Sequence, residues 1–355
     1  MVLLNFVLFA LLAIEGIGLG QVQAATGPRL YGLTRVKNGP HCSGAVSGCT
    51  QLVSVDEKTG TLSNIGHGHT PIAPVGDLGV IDSKREIYYY LGDGWNGTGT
   101  VLYGIGLQDG GEVCRAYVKE IGEVGIVGGG QSMVVDASTQ ELVIAGLATK
   151  NNGTSYFHKI LSAPMQGGCG PFKDLGTFQD GDYEPMAHGS AIDPNGHRLF
   201  VTLSTQAHAY GLGIASLPKG TLKVLPMSLT NSLWGPVWVG KDKKLYGVAS
   251  DEENRCIAWR SVDPDSGKWT SSALKMAAGS NTTFNELWGN LGSVRAHDPV
   301  NNRLYFLMGK QRSQQIHLGT IDIQTGSLMS PTPPPLNGDT GFSGEILMQL
   351  ALLRG

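Results

Sequence analysis

Charge is scarce in this sequence. Only 15% of the 355 residues are Asp, Glu, Lys or Arg, against about a quarter in an ordinary globular domain. The 26 Lys and Arg set against 29 Asp and Glu leave a formal net charge of -3. There is no basic footprint to neutralise phosphates, and nucleic acid is not an expected partner. Long apolar runs are also lacking. The N-terminal one, Met1 to Ile14, is shorter than the roughly 20 residues that span a bilayer, and no later segment is long enough, so no membrane span is expected. That run stops at Glu15, and Val22-Gln23-Ala24 places small residues at cleavage-site positions. Residues 1-24 therefore read as a signal peptide, and 25-355 as a single domain that is secreted and extracellular.

Catalytic signatures are missing as well. The chain contains no Gly-x-Ser-x-Gly, Walker loop, His-Glu-x-x-His or Rossmann fingerprint. The glycine cluster Gly128-Gly-Gly-Gln131 precedes an apolar strand pattern, so it reads as a close backbone approach and not as a phosphate cradle. The five cysteines lack the paired spacing of a zinc site. Cys42 and Cys49 flank a short Gly/Ser loop that suits a local disulfide, Cys114 and Cys169 are candidates for a second, and Cys256, inside an apolar segment, reads as a buried small hydrophobe.

Glycine is plentiful, with 52 residues, and a repeat accompanies it. A polar residue followed by Leu or Ile and aromatics recurs six times: Arg29-Leu-Tyr-Gly-Leu, Glu86-Ile-Tyr-Tyr-Tyr, Glu141-Leu-Val-Ile-Ala, Arg198-Leu-Phe-Val-Thr, Lys244-Leu-Tyr-Gly-Val and Arg303-Leu-Tyr-Phe-Leu. The spacings are 57, 55, 57, 46 and 59 residues, the size of a four-stranded propeller blade with its loops. Each unit also carries a hairpin glycine, at Gly60, Gly111, Gly168, Gly220, Gly267 and Gly326. Three share Asp-x-x-Thr/Ser-Gly, in which the Asp bonds backbone amides of the turn. An apolar inner strand precedes each repeat, as in Gly79-Val-Ile-Asp82, Met133-Val-Val-Asp136 and Ser190-Ala-Ile-Asp193. The first unit starts at its second strand and the C-terminal segment Gly344 to Leu353 supplies a lone first strand. Pairing the two closes the ring. The expected fold is all-β, a six-bladed β-propeller of four-stranded blades.

Segments such as Ile87-Tyr-Tyr-Tyr90, together with the Asp turns, resemble the blades of secreted six-bladed propellers, including the YWTD and NHL repeat families and the sugar-lactonase and paraoxonase group. The resemblance is one of architecture over residues 29 to 355, and no blade has an intact Tyr-Trp-Thr-Asp motif.

In a propeller, the loops that enter the inner strands and those between second and third strands share one face. Counting five residues back from each inner-strand turn brings Asp77, Gln131, His188 and Ser293 to equivalent positions, with Glu345 matched to Asp77 through the preceding glycine. One reading makes these five the polar lining of a channel mouth. The other makes them ligands for a single axial Ca ion, which takes 6 to 8 oxygens. The lactonase-like propellers resemble this in holding calcium by carboxylates and asparagine, a pattern from which Gln131 and His188 depart. His67 and His69, on alternate residues, are secondary metal candidates. Tyr183, Trp234, Phe284 and Trp288 are aromatics of the same face, suited to stacking on sugars or to filling gaps between blades. The sequons at Asn96, Asn152 and Asn281 map there too. The leading expectation is a secreted, glycosylated binding or scaffold module for an extracellular protein, peptide or glycan. A calcium-dependent lactonase- or esterase-like hydrolase is the alternative.

Overall fold

The computed structural model describes residues 29–36, 49–66, 79–93, 100–118, 131–150, 155–165, 168–178, 183–205, 210–217, 221–227, 233–251, 256–273, 286–287, 295–309, 316–330, 333–338 and 347–353. Among them there is no helix, and so none long and apolar enough to cross a membrane. The strands form six sheets, each a blade, arranged as a β-propeller.

From the channel outward the second blade is Val80–Asp82, Ile87–Asp93, Thr100–Gly106 and Glu112–Val118. The third is Gln131–Asp136, Glu141–Lys150, Ser155–Pro164 and Lys173–Phe178. The fourth is Tyr183–Asp193, Arg198–Thr205, Tyr210–Ser216 and Thr221–Met227. The fifth is Trp234–Val239, Lys244–Asp251, Cys256–Asp263 and Lys268–Ala273. In the sixth, Glu286–Leu287 and Arg295–Asp298 share the inner position beside Arg303–Gly309, followed by Ile316–Asp322 and Ser327–Leu328. The first blade is composite, as expected: Leu347–Leu353 pairs antiparallel with Arg29–Val36, beyond which lie Cys49–Val55 and Thr61–Asn64.

Why the repeat reads as a continuous apolar run is clear from the packing. Successive side chains of a strand point to opposite faces, and here both faces are covered. Tyr88 and Tyr90 pack toward the first blade, whereas Ile87, Tyr89 and Leu91 pack toward the third. Leu304, Phe306 and Met308 face the fifth blade, and Tyr305 and Leu307 face the first. Six buried clusters result, one at each seam between blades. Each large side chain so buried contributes roughly 1.5–3 kcal/mol.

The closing seam is reinforced. Tyr305 donates to Glu57 Oε2 at 2.5 Å across it. The Pro-rich segment 333–338 straps the outside, where Leu318 N donates to Pro334 O at 3.0 Å and Leu336 N to Ile316 O at 2.8 Å. Asn337–Gly338 then pairs in parallel with Thr61 and Leu62, a fifth strand that the proline-rich sequence did not suggest.

The turns follow their chemistry. Asp56 Oδ1 accepts from Lys58 N and Thr59 N at 2.9 and 2.8 Å, and those amide bonds hold its carboxyl below the usual range. Gly60, Gly267 and Gly326 take φ of 72°, 68° and 65° as the tight turn requires. In the second blade the left-handed glycine is Gly110 and not Gly111, because Asp109 Oδ1 caps the Gly111 amide at 2.9 Å and shifts the turn by one residue. Gly220 lies outside the described residues. On the channel side, Asp82, Asp136, Asp193 and Asp298 are buried and cap the four-residue turns into the second strands. The expected bridge between Cys114 and Cys169 is present, with Cα atoms 5.6 Å apart, joining the outer strand of the second blade to the third blade.

Candidate binding channel

The inner strands surround the axis, but they do not run alike. In the third blade Gln131 stands opposite Gly146 in an unbroken ladder. In the fourth, the register jumps between Pro185 and Ser190, so His188 lies within a bulge whose next residue, Gly189, has φ +103°. In the fifth it jumps between Trp234 and Val237, with Gly235 at φ +61°. In the sixth, Leu287 stands opposite Met308 and Arg295 opposite Phe306. Equal spacing from the turn therefore does not give equal ladder positions, because bulges insert unpaired residues into two of the inner strands.

One residue collects carbonyls of neighbouring inner strands. Arg295 Nη2 donates to Ser190 O at 2.7 Å and to Pro236 O at 2.5 Å, so a side chain of the sixth blade reaches past the fifth to the fourth. Pro236 sits inside the register jump, where no ladder amide serves its carbonyl. Arg295 is 8% exposed and buried beside Gly189. Its Nη1 has no partner among the described residues, nor do Ser190 Oγ and Trp238 Nε1, which also line the channel. Burial pulls the guanidinium down to about 9, so it remains charged at neutral pH. Sequence reasoning missed Arg295: a single arginine in Ser293-Val-Arg-Ala-His297 carries no motif, and its strand, Arg295-Ala-His-Asp298, has no apolar run against which a cation would stand out.

Beyond Arg295 the channel holds a cavity of about 620 Å³. Val80, Val134, Ile192, Val237 and Ala296 contribute to its wall, and hairpin residues Lys84, Gln140 and Asn195 line the far end. At that end Arg198 bonds Asp193 Oδ2 at 3.0 Å and Asp265 Oδ1 at 2.6 Å, and lies over the Phe200 and Trp238 rings.

Of the residues singled out from sequence, Asp77, Ser293, Glu345, His67, His69, Phe284, Trp288, Cys42 and the sequon residues Asn96, Asn152 and Asn281 lie outside the described residues. For Gln131, His188, Tyr183, Trp234, Cys49 and Cys256 the backbone alone is described. Among the described residues no group of three or more His, Cys, Asp or Glu is placed to hold a metal ion.

No family model matches the chain, and no curated protein is similar to it in sequence. Solved structures share its fold. TolB from Acinetobacter baumannii matches with TM-score 0.52 and 12% identity over 92% of this chain, which spans slightly under two thirds (66%) of TolB. A chain of a nidogen/laminin complex matches with TM-score 0.51 and 12% identity, over 92% of this chain and 99% of that one. A Bacteroides caccae protein of unknown function matches with TM-score 0.52 and 10% identity, over 93% and 100%. At such identities the likeness is one of fold: the chain is a six-bladed β-propeller.

Proposed function

We propose that the chain is a secreted, glycosylated binding or scaffold module whose channel-mouth face holds an extracellular protein, peptide or glycan. The observation that carries this reading is an asymmetry between the two faces. On one, the hairpins from inner to second strand are uniformly four residues long, at 83–86, 137–140, 194–197, 240–243 and 299–302. The connections belonging to the opposite face span as few as four residues, at 151–154, and as many as 12 at 37–48 and 119–130, and 15 at 65–79. The third-to-fourth connections on the first face are also short, from four residues to the eight at 165–172, and a rigid frame with short turns on one side and longer, more variable connections on the other suits recognition by loops. In sequence, the sequons lie between described strands, at 94–99, 151–154 and 274–285. The presence of a chain of similar fold in a nidogen/laminin complex supports use of such a frame as a protein-binding platform.

The competing hydrolase needs an axial cation. The buried guanidinium of Arg295 in the same channel opposes one by like charge. Metal analysis of the purified protein, with melting in calcium and in chelator and a lactone and ester screen, separates the two. A metal-free, inactive protein with one melting temperature in both buffers is the expected result. Calcium-dependent hydrolysis, with a calcium-dependent rise in melting temperature that the Asp77→Ala/Glu345→Ala double variant loses, would establish the hydrolase instead.

A further inference from the structure

The channel cavity joins two features that seldom occur together without a ligand. Its wall is apolar along Val80, Val134, Ile192, Val237 and Ala296, and its volume of about 620 Å³ falls in the range of small-molecule pockets, roughly 300–1,000 Å³. At one end stands a cation that is 8% exposed. The only partners found for Arg295 among the described residues are two neutral carbonyls on Nη2, with Nη1 unpaired and no carboxylate in reach. Ser190 Oγ, in the same lining, is a second polar atom without a partner. A buried charge without a counter-charge is costly, and so is an unmatched buried donor. An anion that carries its own apolar body relieves both costs while filling the volume.

We propose that the channel binds a small amphipathic monoanion: a carboxylate whose head meets the Arg295 guanidinium and Ser190 hydroxyl, and whose apolar body lies along the Val80, Val134 and Ile192 wall. The carboxylate is the fitting head because its two oxygens match the planar guanidinium fork. The residues that would hold the anion, Arg295, Ser190, Val80, Val134 and Ile192, all lie on inner strands, and the site is independent of what the mouth face binds.

Titration calorimetry on the full chain, with sodium decanoate, decanol and sodium acetate as probes, tests the proposal. Decanoate is expected to bind saturably, decanol at least tenfold more weakly because it lacks the charge, and acetate not measurably because it lacks the apolar body. In Arg295→Met the preference for decanoate over decanol should vanish, and Ile192→Trp, which fills the cavity and spares the cation, should abolish decanoate binding. Should either variant fail to fold, the wild-type comparison of decanoate with decanol and acetate supplies the decision. Decanoate that fails to bind, binds no better than decanol, or retains its affinity in folded Ile192→Trp overturns the proposal.

Discussion

The guanidinium of Arg295 occupies the space that a side chain on Gly189 would need: a Cβ there would stand 2.3 Å from Nη1. Gly189 also holds φ +103°, a conformation that L side chains rarely adopt. Both constraints act on Gly189→Ala, which should lower the unfolding free energy by about 2–4 kcal/mol and weaken the cross-channel bonds to Ser190 and Pro236. Urea denaturation measures it. A loss below 0.5 kcal/mol would mean that the bulge and the arginine are not coupled.

Arg295 also gives stability a pH dependence of definite sign. Burial lowers its pKa from 12.5 to about 9, so the folded state releases the proton before the unfolded chain does. Between those values the unfolded state binds more protons, and the Arg295 contribution rises with pH. It is unfavourable below pH 9 and is relieved above. The wild-type unfolding free energy minus that of Arg295→Met should therefore increase between pH 8 and 10.5, with a limiting slope of about 1.4 kcal/mol per pH unit. A difference that stays flat or falls would show that Arg295 keeps its proton throughout this range.

The Cys114–Cys169 bridge spans 55 residues of chain and ties two blades together. Closing a loop of that length restricts the unfolded chain, and the Cys114→Ser/Cys169→Ser variant should lose about 2–4 kcal/mol. Thermal and urea unfolding of the variant check this. Unchanged stability would place the bridge outside the cooperative unit.

The blades were legible in sequence because each second strand is buried on both faces. Tyr88, Tyr89 and Tyr90 are all buried, and such a run has no polar face to obscure its recurrence. The turns were legible because Asp56 and Gly60 are required by local geometry that few other residues satisfy. The inner strands were not. Their positions were assigned by counting from the terminal turn, and the bulges at Gly189 and Gly235 change that count without any change in hydrophobic pattern. Arg295 was invisible for a related reason: it serves inner-strand carbonyls of two other blades, a relation that appears only when the ring is closed. The strap at 333–338 was not legible because it pairs in part through a proline carbonyl, Pro334 O, which hydropathy and strand propensity do not register.

The role of the mouth face is tested most directly by exchanging its connections. Wild type, a variant in which 67–78 and 119–130 are replaced by short Gly-Ser turns, and a control with Lys241→Ala in the uniform hairpin at 240–243 can be compared on glycan and peptide arrays at equal folded concentration. Wild type and the control should bind the same ligand with affinities within about twofold, and the mouth variant at least tenfold more weakly, a change of about 1.4 kcal/mol or more. Binding that survives loss of both mouth connections and is lost in the hairpin variant would contradict the assignment of recognition to that face.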